Sequence, residues 1–257
     1  MQVVILCGGR GTRMGAESEV LPKPMVAVGE RPILWHIMKR YARFGHREFV
    51  LCLGYKGDII RDYFLHYEAR NNDVTVELGG KGAVTAHGQH EEQGWTVTLA
   101  ETGLETLTGT RVNRVRRYVR DQTFLLTYGD GVCDIDLDAL VAFHRRHGRI
   151  ATVTAVHPPA RFGELILDGG SVGRFSEKPQ VGTGLINGGF FVFEPAVFDY
   201  LSDDPACALE HEPMVRLTRD RQLVAYEHSG FWQCMDTVRE LTILRDMWAS
   251  GQAPWQV

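Results

Sequence analysis

Apolar runs and amphipathic stretches alternate along the first part of the chain. Residues 3–6 and 49–53 are short runs of β-branched and other apolar side chains, which indicate buried strands. Apolar residues recur at helical spacing in residues 33–41 and again in residues 56–68. Strands that alternate with helices of this length favour a parallel, helix-covered sheet with right-handed crossovers. The predicted fold class is therefore α/β.

The same alternation extends the predicted sheet and its covering helices. Further patterns typical of strands cover residues 74–78, 95–99, 124–128, 151–156, 164–168, 172–177 and 188–193. Helices are predicted at 136–147, 195–201 and 208–219, after the polar loop 106–111 as far as Arg120, and after residue 237. Between Gly79 and Gly94 the pattern dissolves, which predicts a loop. We expect a single domain, 1–257, whose halves 1–150 and 151–257 share one continuous sheet.

The composition is that of an ordinary globular protein. Of the 257 residues, 44% are hydrophobic and 23% are charged, which excludes the intrinsically disordered class. A formal net charge of −4 argues against general binding to nucleic acid, which needs an extended basic surface. No apolar run approaches the ~20 residues that span a bilayer, and the first residues have the pattern of a strand rather than of a signal peptide. We therefore expect neither nucleic acid nor a membrane as a partner.

The five cysteines are scattered along the chain and form no C-x-x-C pair. Their number is odd, which suits reduced thiols in a cytosol better than a disulfide framework. Their spacing gives no indication of a zinc site. The sequence therefore predicts a cytoplasmic protein.

A glycine-rich loop follows the first strand at once and contains Gly8, Gly9 and Gly11. Glycines let the backbone approach a ligand closely, and successive free N–H groups form a concavity that holds anions. Arg13 and Lys23 add positive charge, and a proline on each side of Lys23 restricts its backbone. This combination predicts a triphosphate site. The alternative is a glycine turn followed by two solvated cations.

Two aspartates are candidate metal ligands. Asp130 lies between two glycines directly after the strand 124–128, and Asp236 follows the aromatic pair 231–232. Ligands of doubly wound sheets gather beyond the carboxyl ends of the strands, so Asp130 is expected to face the same crevice as the glycine loop. Carboxylate oxygens suit Mg²⁺. The alternative is that Asp130 caps the helix 136–147 and that Asp236 caps the last helix.

Two polar positions of the second half are candidates for contacts with a second ligand. Lys178 precedes a proline, as Lys23 does, and Asn187 precedes two glycines whose backbone can approach hydroxyl groups. The alternatives are a surface ion pair between Lys178 and Glu177, and a turn residue at Asn187.

Residues 8–13, Gly-Gly-Arg-Gly-Thr-Arg, and residues 22–25, Pro-Lys-Pro-Met, resemble the signature of the sugar-1-phosphate nucleotidylyltransferases. The similarity covers essentially the whole chain and indicates the glucose-1-phosphate cytidylyltransferase branch. The segments that carry it are 32–38, 127–131, 158–163, 186–191 and 230–237. Cys7 stands where the family usually has alanine, and Thr110 stands where it usually has a second glycine.

The resemblance implies both a fold and a reaction. The fold is a mixed, mostly parallel Rossmann-like nucleotidyltransferase sheet with helices on both faces and a smaller portion for sugar binding and oligomerisation. The first half would bind the nucleotide and the second half the sugar phosphate. The reaction is cytidylyl transfer from CTP to α-D-glucose 1-phosphate, which gives CDP-glucose and pyrophosphate by in-line attack with Mg²⁺ as cofactor. The chain is expected to form a homo-oligomer, such as a hexamer.

The resemblance also implies the roles of individual residues. Its nucleotide-binding residues are Leu6, Cys7, Gly8, Gly9, Arg10, Gly11, Thr12, Arg13, Lys23, Thr106, Arg111 and Gly129. Its sugar-phosphate-binding residues are Glu177, Lys178, Asn187 and Gly188. The Mg²⁺ ligands would be Asp130 and Asp236, and the catalytic residues would be Arg13, Lys23, Asp130 and Asp236.

Two other functions fit the same residues. The first is the same chemistry with dTTP or UTP, or with another sugar 1-phosphate. The second is a nucleotide-sensing protein that keeps the fold without catalysis. Such a protein is expected to lack Lys23, Asp130 or Asp236, and all three are present.

Overall fold

The computed structural model describes residues 1–11, 20–79, 83–120, 122–159, 164–176 and 184–256. Its strands are, in chain order, β1 (Gln2–Leu6), β2 (Ala27–Val28), β3 (Arg31–Pro32), β4 (Glu48–Leu53), β5 (Asp73–Val76), β6 (Val84–His87), β7 (Thr96–Glu101), β8 (Phe124–Tyr128), β9 (Gly131–Cys133), β10 (Ala151–Val156), β11 (Glu164–Asp168), β12 (Ser171–Ser176), β13 (Ile186–Phe193), β14 (Leu223–His228) and β15 (Trp232–Cys234).

Seven helices and three short 3₁₀ segments belong to the described part of the chain. The α-helices are α1 (Ile33–Arg43), α2 (Gly57–Leu65), α3 (Tyr67–Asn71), α4 (Thr108–Arg114), α5 (Leu137–His147), α6 (Glu212–Arg219) and α7 (Val238–Ala249). The 3₁₀ segments are Lys23–Met25, Arg116–Tyr118 and Pro195–Tyr200. None of these helices combines the length and the apolar character that a membrane span requires.

A seven-stranded sheet forms the centre of the molecule, with the strand order β14-β10-β13-β8-β1-β4-β7. Six of these strands are parallel to one another, and β13 is antiparallel to both of its neighbours. The sheet includes strands from both halves of the chain. The predicted fold class, a mixed and mostly parallel α/β sheet, is confirmed.

The central strands are unbroken apolar runs because they are buried on both faces, and β1 is an example. Its side chains alternate between two separate cores, because Val3 and Ile5 pack on one face of the sheet while Val4 and Leu6 pack on the other. All four are buried. A strand that is covered on both faces has no position for a polar side chain, which is the usual situation in a parallel sheet between helices.

Several predicted boundaries are wrong. The helix predicted at 56–68 is two helices, α2 and α3, because His66 leaves the helical conformation with φ −105° and ψ 17°. The helix predicted to reach Arg120 ends at Arg114 and is followed by a 3₁₀ turn. The loop predicted between Gly79 and Gly94 contains β6, which pairs with β5 in an antiparallel hairpin. Strand β14, at the sheet edge, was not predicted.

The sheet brings the predicted ligand-binding segments to one edge. Strands β1 and β8 are parallel neighbours, so the loop after Leu6 and the turn after Tyr128 leave the sheet side by side. Strand β15 pairs with β9 and thereby places Cys234 opposite Gly131. Residue 130 directly precedes β9 and residue 236 comes shortly after β15, so the antiparallel pairing of these two strands brings the two positions together.

Candidate active site

The glycine loop closes around a buried arginine. A Cβ atom on Gly8 would overlap the Arg111 guanidinium, so the close approach of loop and side chain requires glycine at this position. The Gly8 carbonyl accepts hydrogen bonds from the Tyr55 N–H and from Arg111 Nη2, each at 3.1 Å. Arg10, further along the loop, forms an exposed ion pair with Glu105. The predicted residues Thr12 and Arg13 lie outside the described residues.

Arg111 holds three chain segments together. Its guanidinium donates to the Leu53 carbonyl at 3.1 Å, to Thr102 Oγ1 at 3.0 Å and to the Gly8 carbonyl. Burial lowers the pKa of Arg111 below its usual value. Thr106, which the sequence also predicted, is buried nearby and donates to the Thr102 carbonyl at 2.8 Å. Both residues belong to a rigid wall beside the glycine loop.

Lys23 lies between the two predicted metal ligands. Its Nζ donates to Asp130 Oδ2 and to Asp236 Oδ1, each at 2.5 Å. Only 8% of Lys23 is exposed, so the alternative of a solvated cation is wrong for this residue. Burial lowers the pKa of Lys23, but the charge of Asp130 and the hydrogen bonds and charges of both aspartates outweigh it and raise the pKa overall. The ammonium group is therefore firmly protonated.

The backbone fixes the relative position of the two aspartates. The Met235 N–H donates to the Asp130 carbonyl at 2.9 Å, which extends the β9–β15 pairing. Gly129 donates to the Leu6 carbonyl at 3.0 Å and holds the turn against β1. A Cβ atom on Gly129 would lie 2.9 Å from that same carbonyl oxygen, which leaves no room for a larger residue.

Both capping interpretations of the aspartates are wrong. Helix α5 is capped by Asp136, whose Oδ1 accepts from the Ala139 N–H at 2.9 Å. Helix α7 is capped by Thr237 in a capping box with Glu240. The side chains of Asp130 and Asp236 are thus directed to Lys23 instead of to a helix end.

Two cavities border this ion-paired group. The loop cavity, of about 260 Å³, is lined by the glycine loop, Lys23, residues 106–108, Arg111 and residues 128–130. The β15 cavity, of about 480 Å³, is lined by β15, Pro158, Pro159, Ile186, Asp236 and the first turn of α7. Asp130 belongs to the first cavity and Asp236 to the second. The arrangement offers two adjacent ligand sites with carboxylates and a buried cation at their junction.

Asn187 and Gly188 each contact a residue that lines one of the cavities, namely Tyr128 of the loop cavity and Trp232 of the β15 cavity. Asn187 lies in strand β13, so its interpretation as a turn residue is wrong, and its Nδ2 donates to the Tyr128 hydroxyl at 3.2 Å. The Gly188 carbonyl accepts from Trp232 Nε1 at 2.7 Å. Glu177 and Lys178, the other two residues predicted for the sugar phosphate, lie outside the described residues.

The sequence missed one polar group beside the loop cavity. The Glu210 carboxylate accepts from the Tyr128 hydroxyl and from Thr108 Oγ1, each at 2.6 Å. Burial and the neighbouring Glu210 charge raise the pKa of Tyr128, so this phenol stays protonated and continues to donate. The helix predicted at 208–219 begins only at Glu212, so Glu210 lies in an irregular segment before it, and no local pattern predicts its contact.

The comparison with protein families decides the classification of the chain. The model of the family described as nucleotidyl transferase matches residues 2–238. The chain belongs to the nucleotidyl transferase family. Nucleotidyltransferases of this family generally use a divalent metal ion.

Several relatives of this nucleotidyltransferase match it over its full length. It is similar to the glucose-1-phosphate cytidylyltransferases of Salmonella typhi and of Salmonella typhimurium, each 47% identical over 257 residues, which are 100% of this chain and 99% of the relative. The resemblance identified from the sequence motifs is confirmed. A solved structure of UDP-glucose pyrophosphorylase complexed with UDP-glucose has the same fold, with a TM-score of 0.68, 14% identity and coverage of 97% of this chain and 98% of that chain.

Proposed function

We propose that this nucleotidyltransferase transfers a cytidylyl group from CTP to α-D-glucose 1-phosphate and releases pyrophosphate. The observation that carries the proposal is the junction of two cavities at Lys23, Asp130 and Asp236. A group transfer between two substrates needs adjacent sites of this kind. The similarity to the glucose-1-phosphate cytidylyltransferases of Salmonella supports the choice of CTP and glucose 1-phosphate.

We assign the loop cavity to CTP and the β15 cavity to the sugar phosphate. An oxygen of the sugar phosphate bonds to the α-phosphorus of CTP, while the bond from that phosphorus to the bridging oxygen breaks and pyrophosphate leaves. The attacking phosphate is already an anion, so no covalent enzyme intermediate is needed. The protein has to hold two anions together and stabilise the charge of the transition state.

In this proposal each basic residue binds one phosphate group. Lys23 binds the α-phosphate, Arg13 the leaving β- and γ-phosphates, and Lys178 the sugar phosphate. The main-chain N–H groups of the glycine loop add hydrogen-bond donors. We assign Asn187 and the backbone at Gly188 to the sugar, because they are bonded to Tyr128 of the loop cavity and to Trp232 of the β15 cavity.

Asp130 and Asp236 fit a divalent cation, for which we propose Mg²⁺. Oxygen atoms of both carboxylates converge on one cationic atom, Lys23 Nζ, so their present separation already suits a shared positive ligand. Both side chains are about one-third exposed and face the cavities. Bound Mg²⁺ supplies electrostatic stabilisation of phosphate oxygens, and carboxylates are its preferred protein ligands.

We predict a preference for CTP over dTTP and UTP of at least ~10-fold in kcat/KM, about 1.4 kcal/mol. Thr106 and Arg111 form a fixed wall of the loop cavity, and such a wall can discriminate bases that differ in donors and acceptors. Pyrophosphate release is measured with four nucleoside triphosphates against several sugar 1-phosphates. Comparable turnover with dTTP or UTP contradicts the base assignment, and CTP binding without turnover contradicts catalysis.

We also infer a homo-oligomer larger than a dimer, in which the β5–β6 hairpin contacts another copy. Val74, Val76 and Val84 lie on one face of this hairpin and are 38%, 49% and 57% exposed. A two-stranded hairpin with an uncovered apolar face is marginal in water, so a covering partner would stabilise it. A symmetric assembly of identical chains is the usual arrangement.

The assembly is tested by light scattering at micromolar concentration. The parent is expected to be larger than a dimer, and replacing Val74, Val76 and Val84 with threonine should reduce the particle mass without unfolding the chain. Thr85→Ser, on the polar face of the same hairpin, is the control and should keep the parent mass. A monomeric parent contradicts the assembly, and a triple variant of unchanged mass contradicts the hairpin contact.

We further infer that the chain is a single domain, residues 1–257, with a nucleotide-binding half (1–150) and a sugar-phosphate-binding half (151–257). The common seven-stranded sheet supports this division within one domain. A cytoplasmic location is proposed because all five cysteines are free thiols, which suits a reducing compartment.

A further inference from the structure

Glu240 makes an unusual set of contacts at the start of α7. Its Oε2 accepts hydrogen bonds from the N–H of Asp236 at 2.7 Å and from the N–H of Thr237 at 2.9 Å. Thr237 Oγ1 in turn accepts from the Glu240 N–H at 3.3 Å. A capping box requires only the bond to the N-cap residue, Thr237. The additional bond reaches one residue further and holds the backbone of Asp236.

The chain before Asp236 is held from the opposite side. Met235 donates to the Asp130 carbonyl at 2.9 Å, and Cys234 is in register with Gly131. The backbone at residue 236 is therefore fixed between the turn of Asp130 and the first turn of α7. Since the Asp236 carboxylate is attached to this backbone by one methylene group, small rotations of the peptide would move it relative to Asp130.

We infer that Glu240 is a positioning residue that sets the separation of the Asp130 and Asp236 carboxylates, a role that rests on the metal site of the proposed function. Residues that orient metal ligands typically affect metal affinity by 10- to 100-fold when they are removed. Glu240 acts here through the Asp236 N–H and not through the substrates.

Two other roles of Glu240 make different predictions. The ligand atoms of Cys234, Asp236 and Glu240 lie within 4.8 Å of one another, so Glu240 could bind the cation directly or attract it by charge. In either case Glu240→Gln would weaken binding as much as Glu240→Ala. A positioning role requires only an oxygen that accepts from the two N–H groups, and glutamine retains one. A purely structural role predicts lower stability with unchanged metal affinity.

The test is a titration of the full-length protein with Mn²⁺, in which free Mn²⁺ is counted by electron paramagnetic resonance. Glu240→Ala is expected to weaken Mn²⁺ binding by roughly 10- to 100-fold, whereas Glu240→Gln should stay within about threefold of the parent. Asp136→Ala removes the cap of α5 at a residue that lines neither cavity, and it controls for the loss of about 1 kcal/mol of cap stability. Its Mn²⁺ affinity should equal that of the parent. If Glu240→Ala fails to fold, Glu240→Ser takes its place, because its hydroxyl is too short to reach the Asp236 N–H.

The outcomes separate this inference from the proposed metal site. Asp236→Asn is titrated in parallel, and an unchanged Mn²⁺ affinity of that variant contradicts the metal site itself. If Asp236→Asn binds weakly while Glu240→Ala binds like the parent, the positioning role is wrong. It is also wrong if Glu240→Gln binds as weakly as Glu240→Ala. A second readout is the Mg²⁺ concentration that gives half-maximal turnover. It should be higher for Glu240→Ala than for the parent, and close to the parent value for Glu240→Gln.

Discussion

Replacing Lys23 with methionine should lower kcat by at least ~100-fold, which is roughly 2.7 kcal/mol of transition-state stabilisation. The buried ammonium is held by Asp130 and Asp236 at the junction of the two cavities, where the proposal places the α-phosphate. Methionine keeps the length and the apolar stem of the side chain but removes the charge. The loss is measured as kcat with saturating CTP, sugar phosphate and Mg²⁺.

The same variant should bind Mn²⁺ more tightly than the parent. The ammonium of Lys23 occupies the space between the two carboxylates, so a metal ion that uses both of them has to displace it. Removing this competitor favours the metal, while catalysis loses its cation at the α-phosphate. Opposite changes in metal affinity and kcat would be difficult to explain by misfolding, which would weaken both.

Lys39 offers a matched control for the lysine prediction. Its Nζ also lies between two carboxylates, at 2.5 Å from Glu91 and 3.5 Å from Glu92, but it lines neither the loop cavity nor the β15 cavity. Lys39→Met should therefore keep kcat within about twofold, because it changes no residue that lines either cavity. If Lys23→Met keeps a kcat within tenfold of the parent, Lys23 has no role in the chemical step.

The sequence predicted best those parts of the site whose signal is local. Strand β1 was predicted at 3–6 and is observed at Gln2–Leu6, and the apolar strand predicted ahead of Asp130 is observed as β8. Both strands are covered on two faces and therefore appear as continuous apolar runs. The glycine and aspartate positions that follow them were predictable because ligand loops leave the carboxyl edge of such strands.

The two capping hypotheses could have been rejected without a structure. Thr237 and Glu240 have the spacing of a capping box, and this pattern places the N-cap at 237 rather than at Asp236. Asp136 directly precedes the first apolar residue of its helix and is itself a good N-cap. Asp130 lies six residues before Asp136 and is too far from the helix start to cap it. A complete search for helix starts would have left metal binding as the stronger hypothesis for both aspartates.

Tertiary contacts are what the sequence could not predict. Glu210 reaches Tyr128 and Thr108 from an irregular segment, and Trp232 of the β15 cavity donates to the Gly188 carbonyl. Such pairs depend on how distant segments pack and leave no periodic pattern in the chain. The sequence predicted that Lys23 and Asp130 face one crevice, but not that Lys23 pairs directly with both aspartates, which are 107 and 213 residues further along the chain.

Asp130→Asn and Asp236→Asn should each fold normally and lose at least ~100-fold in kcat, again roughly 2.7 kcal/mol. Asparagine keeps the size of the side chain and can still accept a hydrogen bond from Lys23. It lacks the negative charge that makes a carboxylate the stronger ligand of a divalent cation. If the two carboxylates served only to neutralise Lys23, the variants would lose some stability and keep their turnover.

Asp134→Asn separates loss of the metal site from a general loss of charge near it. Asp134 lies four residues after Asp130, its side chain is similarly exposed, and it contacts His228 at 2.9 Å instead of Lys23. We expect this variant to keep kcat within a few-fold of the parent at saturating Mg²⁺ and CTP, since local shifts in charge are screened. Turnover of both Asp130→Asn and Asp236→Asn at the level of Asp134→Asn would exclude the two-aspartate metal site. If Asp130→Asn and Asp236→Asn lose kcat to a similar and large extent while Asp134→Asn does not, the reacting phosphates lie where the carboxyl ends of β8 and β15 converge.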